Sequence, residues 1–196
     1  MNKRLYLVMA LVVAAALLGA CGGGGGAGKP PVPMQKYETG TFVLEYPAAW
    51  QKNSLDMMGI TMAFFSSGQV ESMDLLGFDF ASVARDNPIF VLMVVPSSMA
   101  GEMGLDDLDA AMADVDIANE PDVKIIKQGD TTVSGAKGKL LIATGTDPDI
   151  GKMGVHIVMA KRDDGTALVL MGATPEKDLN ANLKIFEYMQ AVFKFK

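Results

Sequence analysis

Cys21 is the only cysteine in a chain of 196 residues, and that count decides how the chain must hold itself together. No intramolecular disulfide can form, so an exported fold has to rest on its own buried core. The surroundings of the cysteine point to export. Lys3 and Arg4 precede an uncharged apolar run, Leu5 to Leu18, which ends in Leu18-Gly19-Ala20-Cys21. Small residues at 19 and 20 admit a signal peptidase, and a thiol alkylated with a diacylglyceryl group then becomes the new N-terminus. This is the pattern of a lipobox, with cleavage between Ala20 and Cys21. A membrane-spanning helix fits less well, because the fourteen residues of the run, at about 1.5 Å each, cover roughly 21 Å of a hydrocarbon core ~30 Å thick.

The expected organisation is therefore a lipoprotein signal peptide over 1–20, a lipidated Cys21 with a tether over 21–36, and one domain over 37–196. The tether has five consecutive glycines followed by Pro30-Pro31-Val32-Pro33 and no apolar periodicity, which gives it a reach of roughly 20 Å. The glycines do not form a phosphate loop: no strand precedes them and no Gly-Lys-Ser/Thr follows. The whole chain has 17 basic and 23 acidic residues. Losing Lys3 and Arg4 with the signal leaves 15 basic residues and a net charge near -8. Such a surface repels nucleic acid and anionic headgroups alike, so membrane attachment has to come from the acyl chains on Cys21. The expected location is the cell envelope, on the extracytoplasmic side of a membrane. With Gly22 rather than aspartate after the cysteine, that membrane is the outer one if the cell has two.

Beyond the tether the pattern is mainly of strands. Phe42, Leu44 and Tyr46 alternate up to Pro47, and Trp50 follows. Ile60, Met62 and Phe64 mark one face of a second strand, with Thr61, Ala63 and Phe65 on the other. Val70 to Arg85 reads as irregular with a short helix. The apolar run between Pro88 and Pro96 predicts a strand buried on both faces. Leu105, Leu108, Met112 and Val115 predict an amphipathic helix with Asp106 and Asp107 in its first turn. A meander follows: Val123 to Gln128 into Thr131 to Val133, a turn at Gly135, Lys139 to Thr144, then Val155 to Lys161 paired with Ala167 to Ala173 across Asp163-Asp164-Gly165. Thr174 and Pro175 suit the start of a last helix, whose buried face carries Leu179, Leu183, Phe186 and Phe193. The sum is an α+β domain, an antiparallel sheet of six or seven strands covered by helices.

Phe42-Val43-Leu44-Glu45-Tyr46-Pro47-Ala48-Ala49-Trp50 resembles the opening of the PsbP-like superfamily, in which a strand ends in Tyr-Pro and a tryptophan follows after two residues. The later order is similar across residues 39–196: a mid-chain helix, a strand turning at Ser134-Gly135, a hairpin, a last helix and an ending like Val192-Phe193-Lys194-Phe195. The chain departs from the pattern at Val192, where relatives often have serine. The resemblance implies an α/β/α sandwich and non-enzymatic binding, with no shared catalytic residue to carry over.

The residues agree that catalysis is not expected. His156 is the one histidine, so any Ser-His-Asp device would need it. On its strand it shares a face with Val158 and Ala160, the place of a packed residue. Zinc lacks imidazoles and thiolates, and the Asp147-Pro148-Asp149 and Asp163-Asp164 stretches lack the spacing of a calcium loop and read as turns. Asp106, Asp107 and Asp109 read as a solvated helix face. No cofactor or metal is expected.

The methionines are the remaining signal. Met62, Met93, Met112, Met159 and Met171 fall at periodic apolar positions and read as core. Met57, Met58, Met99 and Met103 flank loops and form the candidate binding surface, since Met serves adaptable interfaces. The expected function is a membrane-anchored binding or assembly domain with an envelope protein partner. The alternative is a small-ligand or soft-metal lipoprotein using those thioethers for Cu(I).

Overall fold

The alternating residues of Phe42–Pro47 and the apolar run of Ile89–Val95 both form strands, but in two different sheets. The computed structural model describes residues 28–68, 84–115, 122–147 and 151–196. In chain order the strands are β1 (Met34–Glu38), β2 (Phe42–Pro47), β3 (Gln51–Met57), β4 (Ile60–Ser66), β5 (Ile89–Val95), β6 (Lys124–Val133), β7 (Ala136–Asp147), β8 (Gly151–Lys161), β9 (Ala167–Pro175) and β10 (Lys194–Phe195). The helices with both ends among the described residues are α1 (Ser97–Ala100), α2 (Leu108–Ala113) and α3 (Leu179–Val192), the last entered through a 3-10 turn at Glu176–Asp178; residues 84–86 are helical as well.

Seven strands form one antiparallel sheet in the order β3-β4-β5-β9-β8-β7-β6. The order places β5 and β9, the two most apolar strands, side by side near its middle. A small sheet, β1-β2-β10, lies apart from it. Strand alternation then assigns two faces to the large sheet. Phe65, Phe90, Leu92, Leu168, Leu170, Val158 and Ile142 share the first face and join one core with Phe42, Leu44 and Trp50 from the small-sheet side and Phe186 and Met189 from α3. The second face carries Val95 and Val169 beneath Ala100 and Leu105, and Leu141 and Ile157 beneath Met112. Helix and small sheet on one side and short helices on the other give the layered α+β domain expected from the sequence.

Trp50 is buried as expected, with 8% of its surface exposed, and its ring meets Phe186 edge-on at 6.3 Å between centroids. Polar ties fix the layers. Tyr188 on α3 donates to Glu45 on β2 at 2.8 Å, and Lys196 and Lys36 both pair with Glu38 at 2.8 and 2.6 Å. Those two ammonium groups hold the Glu38 carboxyl down at about 2. The C-terminal strand is thereby placed in register, Lys194 opposite Val43 and Phe195 opposite Phe42.

Four expectations need correction. Met34 to Lys36, read as tether, belong to β1, because main-chain pairing with β2 needs no apolar alternation and only Met34 and Tyr37 turn inward. β3 was not expected at all: Gln51–Met57 is almost wholly polar, as an edge strand exposed to water can be. The helix predicted over Leu105 to Val115 shrinks to the six residues of α2. Asp107 ends it on the N-terminal side by accepting from the Asp109 and Ala110 amides, and Leu105 is buried from the turn before it. Thr174 and Pro175 close β9 instead of starting α3; the Thr174 hydroxyl is buried and accepts from Asn182 Nδ2 at 2.7 Å. Of the segment Val70 to Arg85, residues 70–83 lie outside the described residues.

Candidate binding surface

The two-residue turn between β3 and β4 is Met58-Gly59, with Met57 opposite Ile60. Both turn residues have positive φ, 55° and 85°, the left-handed geometry that such a tight hairpin requires and that Asn-Gly satisfies most easily. A methionine there is held against its steric preference. It is also in water: Met58 is 79% exposed and Met57 50%. Met58→Asn is expected to raise the unfolding free energy by about 0.5 to 1 kcal/mol, read from urea denaturation. A loss of stability would mean that the methionine side chain is held by native contacts.

The other two candidates follow β5. Pro96 leads into α1, Met99 packs on the cluster of Val95, Ala100, Leu105 and Val169, and Met103 lies one helical turn later, its amide donating to the Met99 carbonyl at 3.1 Å. Met103 is 40% exposed, whereas Met99 is half-buried. The structure thus separates the four: Met57, Met58 and Met103 present apolar surface to water, and Met99 packs on the second-face cluster. Of the methionines read as core, Met112 is buried, and Met93, Met159 and Met171 pack half-buried on the second face. Met62 is half-buried on that same face, opposite Met93.

Cys21 and Ala20 lie outside the described residues. No helix among the described residues is long and apolar enough to cross a membrane. Among those residues no three His, Cys, Asp or Glu side chains gather to hold a metal ion. Asp106 pairs with Lys161 at 2.5 Å and Asp109 with Lys139 at 2.6 Å. Asp164 accepts from the Thr166 amide at 2.9 Å and so shapes the β8–β9 turn. The Asp163-Asp164 turn is as expected, whereas Asp106 and Asp107 precede α2 instead of lying on its solvated face, and Asp106 and Asp109 are ion-paired; residues 148–149 of the Asp147-Pro148-Asp149 stretch lie outside the described residues.

His156 is wholly buried between β7 and β9 beneath α3, 6.1 Å from the Phe186 ring. Neither of its nitrogens meets a hydrogen-bond partner. Burial pushes its pKa down to about 4; Gln190 opposes that shift and Lys127 adds to it. The Gln190 amide nitrogen is itself committed to Thr131 Oγ1 at 3.0 Å. The neutral, enclosed imidazole is packed as a core residue.

One open cleft of about 470 Å³ lies where the β6–β7 and β8–β9 turns meet, lined by Ser134, Lys137, Arg162, Asp163 and Asp164 among others. Its charges answer one another. Arg162 pairs with Asp164 at 3.3 Å and lies over the Phe195 ring at 5.2 Å, and Ser134 Oγ accepts from the Phe195 amide. The sequence reading missed a second exposed apolar pair, Ile125 and Ile126, which are 43% and 50% exposed at a bulge on the edge strand β6. Two adjacent isoleucines in an otherwise polar run were the available signal.

No family model matches the chain, and no curated protein matches it significantly. Solved structures do. LpqN of Mycobacterium tuberculosis, involved in cell envelope biogenesis, is 11% identical over 84% of this chain and 91% of its own, with a TM-score of 0.51. CyanoP, the cyanobacterial PsbP of Synechocystis sp. PCC 6803, is 17% identical over 90% of this chain and 97% of its own, at 0.49. At such identities a likeness speaks to fold alone. The domain, a seven-stranded antiparallel sheet with a small second sheet and covering helices, thus has a layered α+β fold similar to that of LpqN.

Proposed function

We propose that this chain is a lipid-anchored extracytoplasmic protein whose PsbP-like domain binds a protein partner, or helps an envelope assembly, without catalysing a reaction. The observation that carries the reading is the exposed methionine corner, Met57 and Met58 at the β3–β4 hairpin and Met103 on the helical turn after α1. Left in water, such apolar surface has a cost that a soluble domain keeps where it has a contact to make. Supporting it, the one histidine is locked in the core, and LpqN, which shares the fold, is involved in cell envelope biogenesis. The division into signal peptide (1–20), lipidated tether and single domain belongs to the same proposal, with β1 moving the start of the domain to Met34.

Two measurements test it. Cys21→Ser should block lipid attachment and leave an uncleaved precursor; a variant that matures normally and partitions into detergent like the wild type would end the lipoprotein reading. Cross-linking the tethered protein in its own membrane should capture a defined partner, and Met57→Asp with Met58→Asp should abolish that capture. Retained capture would move the interface elsewhere, and turnover of ester or peptide substrates would replace binding with catalysis.

A further inference from the structure

The methionine corner has a charge and a position that narrow what it can take. Two turns and a helical segment meet there. A Cβ placed on Gly59 would lie 3.6 Å from Pro96 Cγ, and one on Gly165 would lie 2.9 Å from Ser97 Cβ, so the β3–β4 turn and the β8–β9 turn both abut the segment that carries α1. Around the exposed thioethers, Asp56, Glu102, Asp107 and Asp163 are exposed and make no ion pair among the described residues. Of the cations at this end, Lys161 and Arg162 are already engaged by Asp106 and Asp164, and Lys137, opposite Lys161, lines the cleft with Asp163. Four carboxylates without an ion pair against one such lysine leave an adaptable apolar patch in surroundings with an excess of negative charge.

Its position points away from the anchor. The chain enters the fold where the Ala48 amide donates to the Pro33 carbonyl at 2.9 Å and Met34 faces Pro47. From there β3 runs seven residues, from Gln51 to Met57, which at about 3.3 Å each carries the corner ~20 Å away from the entry point. Neither the distance nor the charge suits an anionic bilayer.

We propose that this end of the domain takes a basic amphipathic segment of a partner protein, its apolar stripe against Met57, Met58 and Met103 and its Lys and Arg side chains against the flanking carboxylates. The proposal rests on the binding reading above and adds the chemistry of the partner. Methionine's three flexible torsions let one patch fit a stripe of varied side chains, while the carboxylates select the sign of the charge and speed the encounter.

The test uses the full chain with 13C-labelled methionine methyls, held in phosphatidylcholine nanodiscs, and a helical Leu/Lys peptide with leucines at i, i+3, i+4 and i+7. The methyl signals of Met57, Met58 and Met103 should shift on titration while those of the buried Met112 and Met189 stay in place. Combining Met57→Gln, Met58→Asn and Met103→Gln should weaken binding about tenfold or more, with unchanged Met112 and Met189 signals showing that the fold is kept. Added salt should weaken binding as well. The proposal is overturned if the three methyls do not move, if a Leu/Glu peptide moves them equally, or if phosphatidylglycerol vesicles move them and the peptide does not. The titration reads the domain and the Cys21→Ser experiment reads the anchor, so each reading can fail without the other.

Discussion

Phe186→Ala is expected to lower the unfolding free energy by about 3 to 5 kcal/mol, a large fraction of the ~5 to 15 kcal/mol that a domain of this size holds. The ring is fully buried at the junction of α3, the large sheet and the Tyr-Pro-x-x-Trp corner, 5.6 Å from Phe90 and 6.3 Å from Trp50. It also fills the gap over Gly172, where a Cβ would lie 2.6 Å from the ring carbons. The neighbours cannot close a cavity of that size, since the backbone of β9 and the axis of α3 are both fixed by other contacts. Trp50→Ala is expected to cost about 3 to 5 kcal/mol alone, and less when added to Phe186→Ala, because the two rings share one contact. Gly172→Ala should destabilise for the opposite reason, overpacking, and should cost less in a Phe186→Leu background. Urea unfolding of the single and paired variants checks all of this. A Phe186→Ala midpoint close to that of the wild type would mean that α3 is not the lid of the core.

His156 makes the fold sensitive to acid. Its pKa is near 4 in the folded protein and near its ordinary 6.5 when the chain unfolds. Between those values the unfolded chain binds the extra proton, so stability is full above pH 6.5, falls as the pH drops towards 4, and loses no more to this group below that. A shift from 6.5 to about 4 corresponds to about 3 kcal/mol. His156→Leu, similar in bulk and unable to titrate, should therefore gain on the wild type by about 3 kcal/mol between pH 7 and pH 4. Near neutrality it should be close to the wild type, since the imidazole it replaces has no hydrogen bond to lose. The carboxylates whose pKa values are lowered, such as Glu38 held by Lys196 and Lys36, lose their stabilisation at lower pH, and equally in both proteins. Parallel urea titrations at pH 7, 5.5 and 4 provide the measurement. If the two proteins lose stability in step, His156 is reached by water or by a partner group.

Strands that bury both faces could be read from composition alone. Ile89–Val95 and β7 to β9 came out in order, because burial demands apolar residues at fixed periods, while the exposed edge strand β6 was placed by the turn at Gly135, which like Gly165 demands positive φ, 82° and 85°. Two other edges, β1 and β3, were not legible. β1 and β3 are held by main-chain hydrogen bonds, which leave no mark on side-chain type, and β3 keeps mostly polar residues because water covers it. Helix ends were misplaced where a local capping signal competed with sheet pairing. Thr174 looked like a cap, and pairing with β8 made it the end of β9.

The candidate surface divides the same way. The chain's own order of residues determined which methionines lie near turns and that the domain is acidic. It could not tell a thioether packed on Ala100 and Leu105, like Met99, from one left in water, like Met103, since exposure depends on what other segments cover. Only the tertiary structure decided that Met58 occupies a left-handed turn, that the β3–β4 and β8–β9 turns gather around α1, and that this end lies the length of β3 away from the contact of Ala48 with Pro33. Local sequence sets periodicity, charge and turn chemistry through near neighbours. Which surfaces are buried and which remain free follows from contacts between segments far apart in the chain, and those exist only once the sheet has closed on its core.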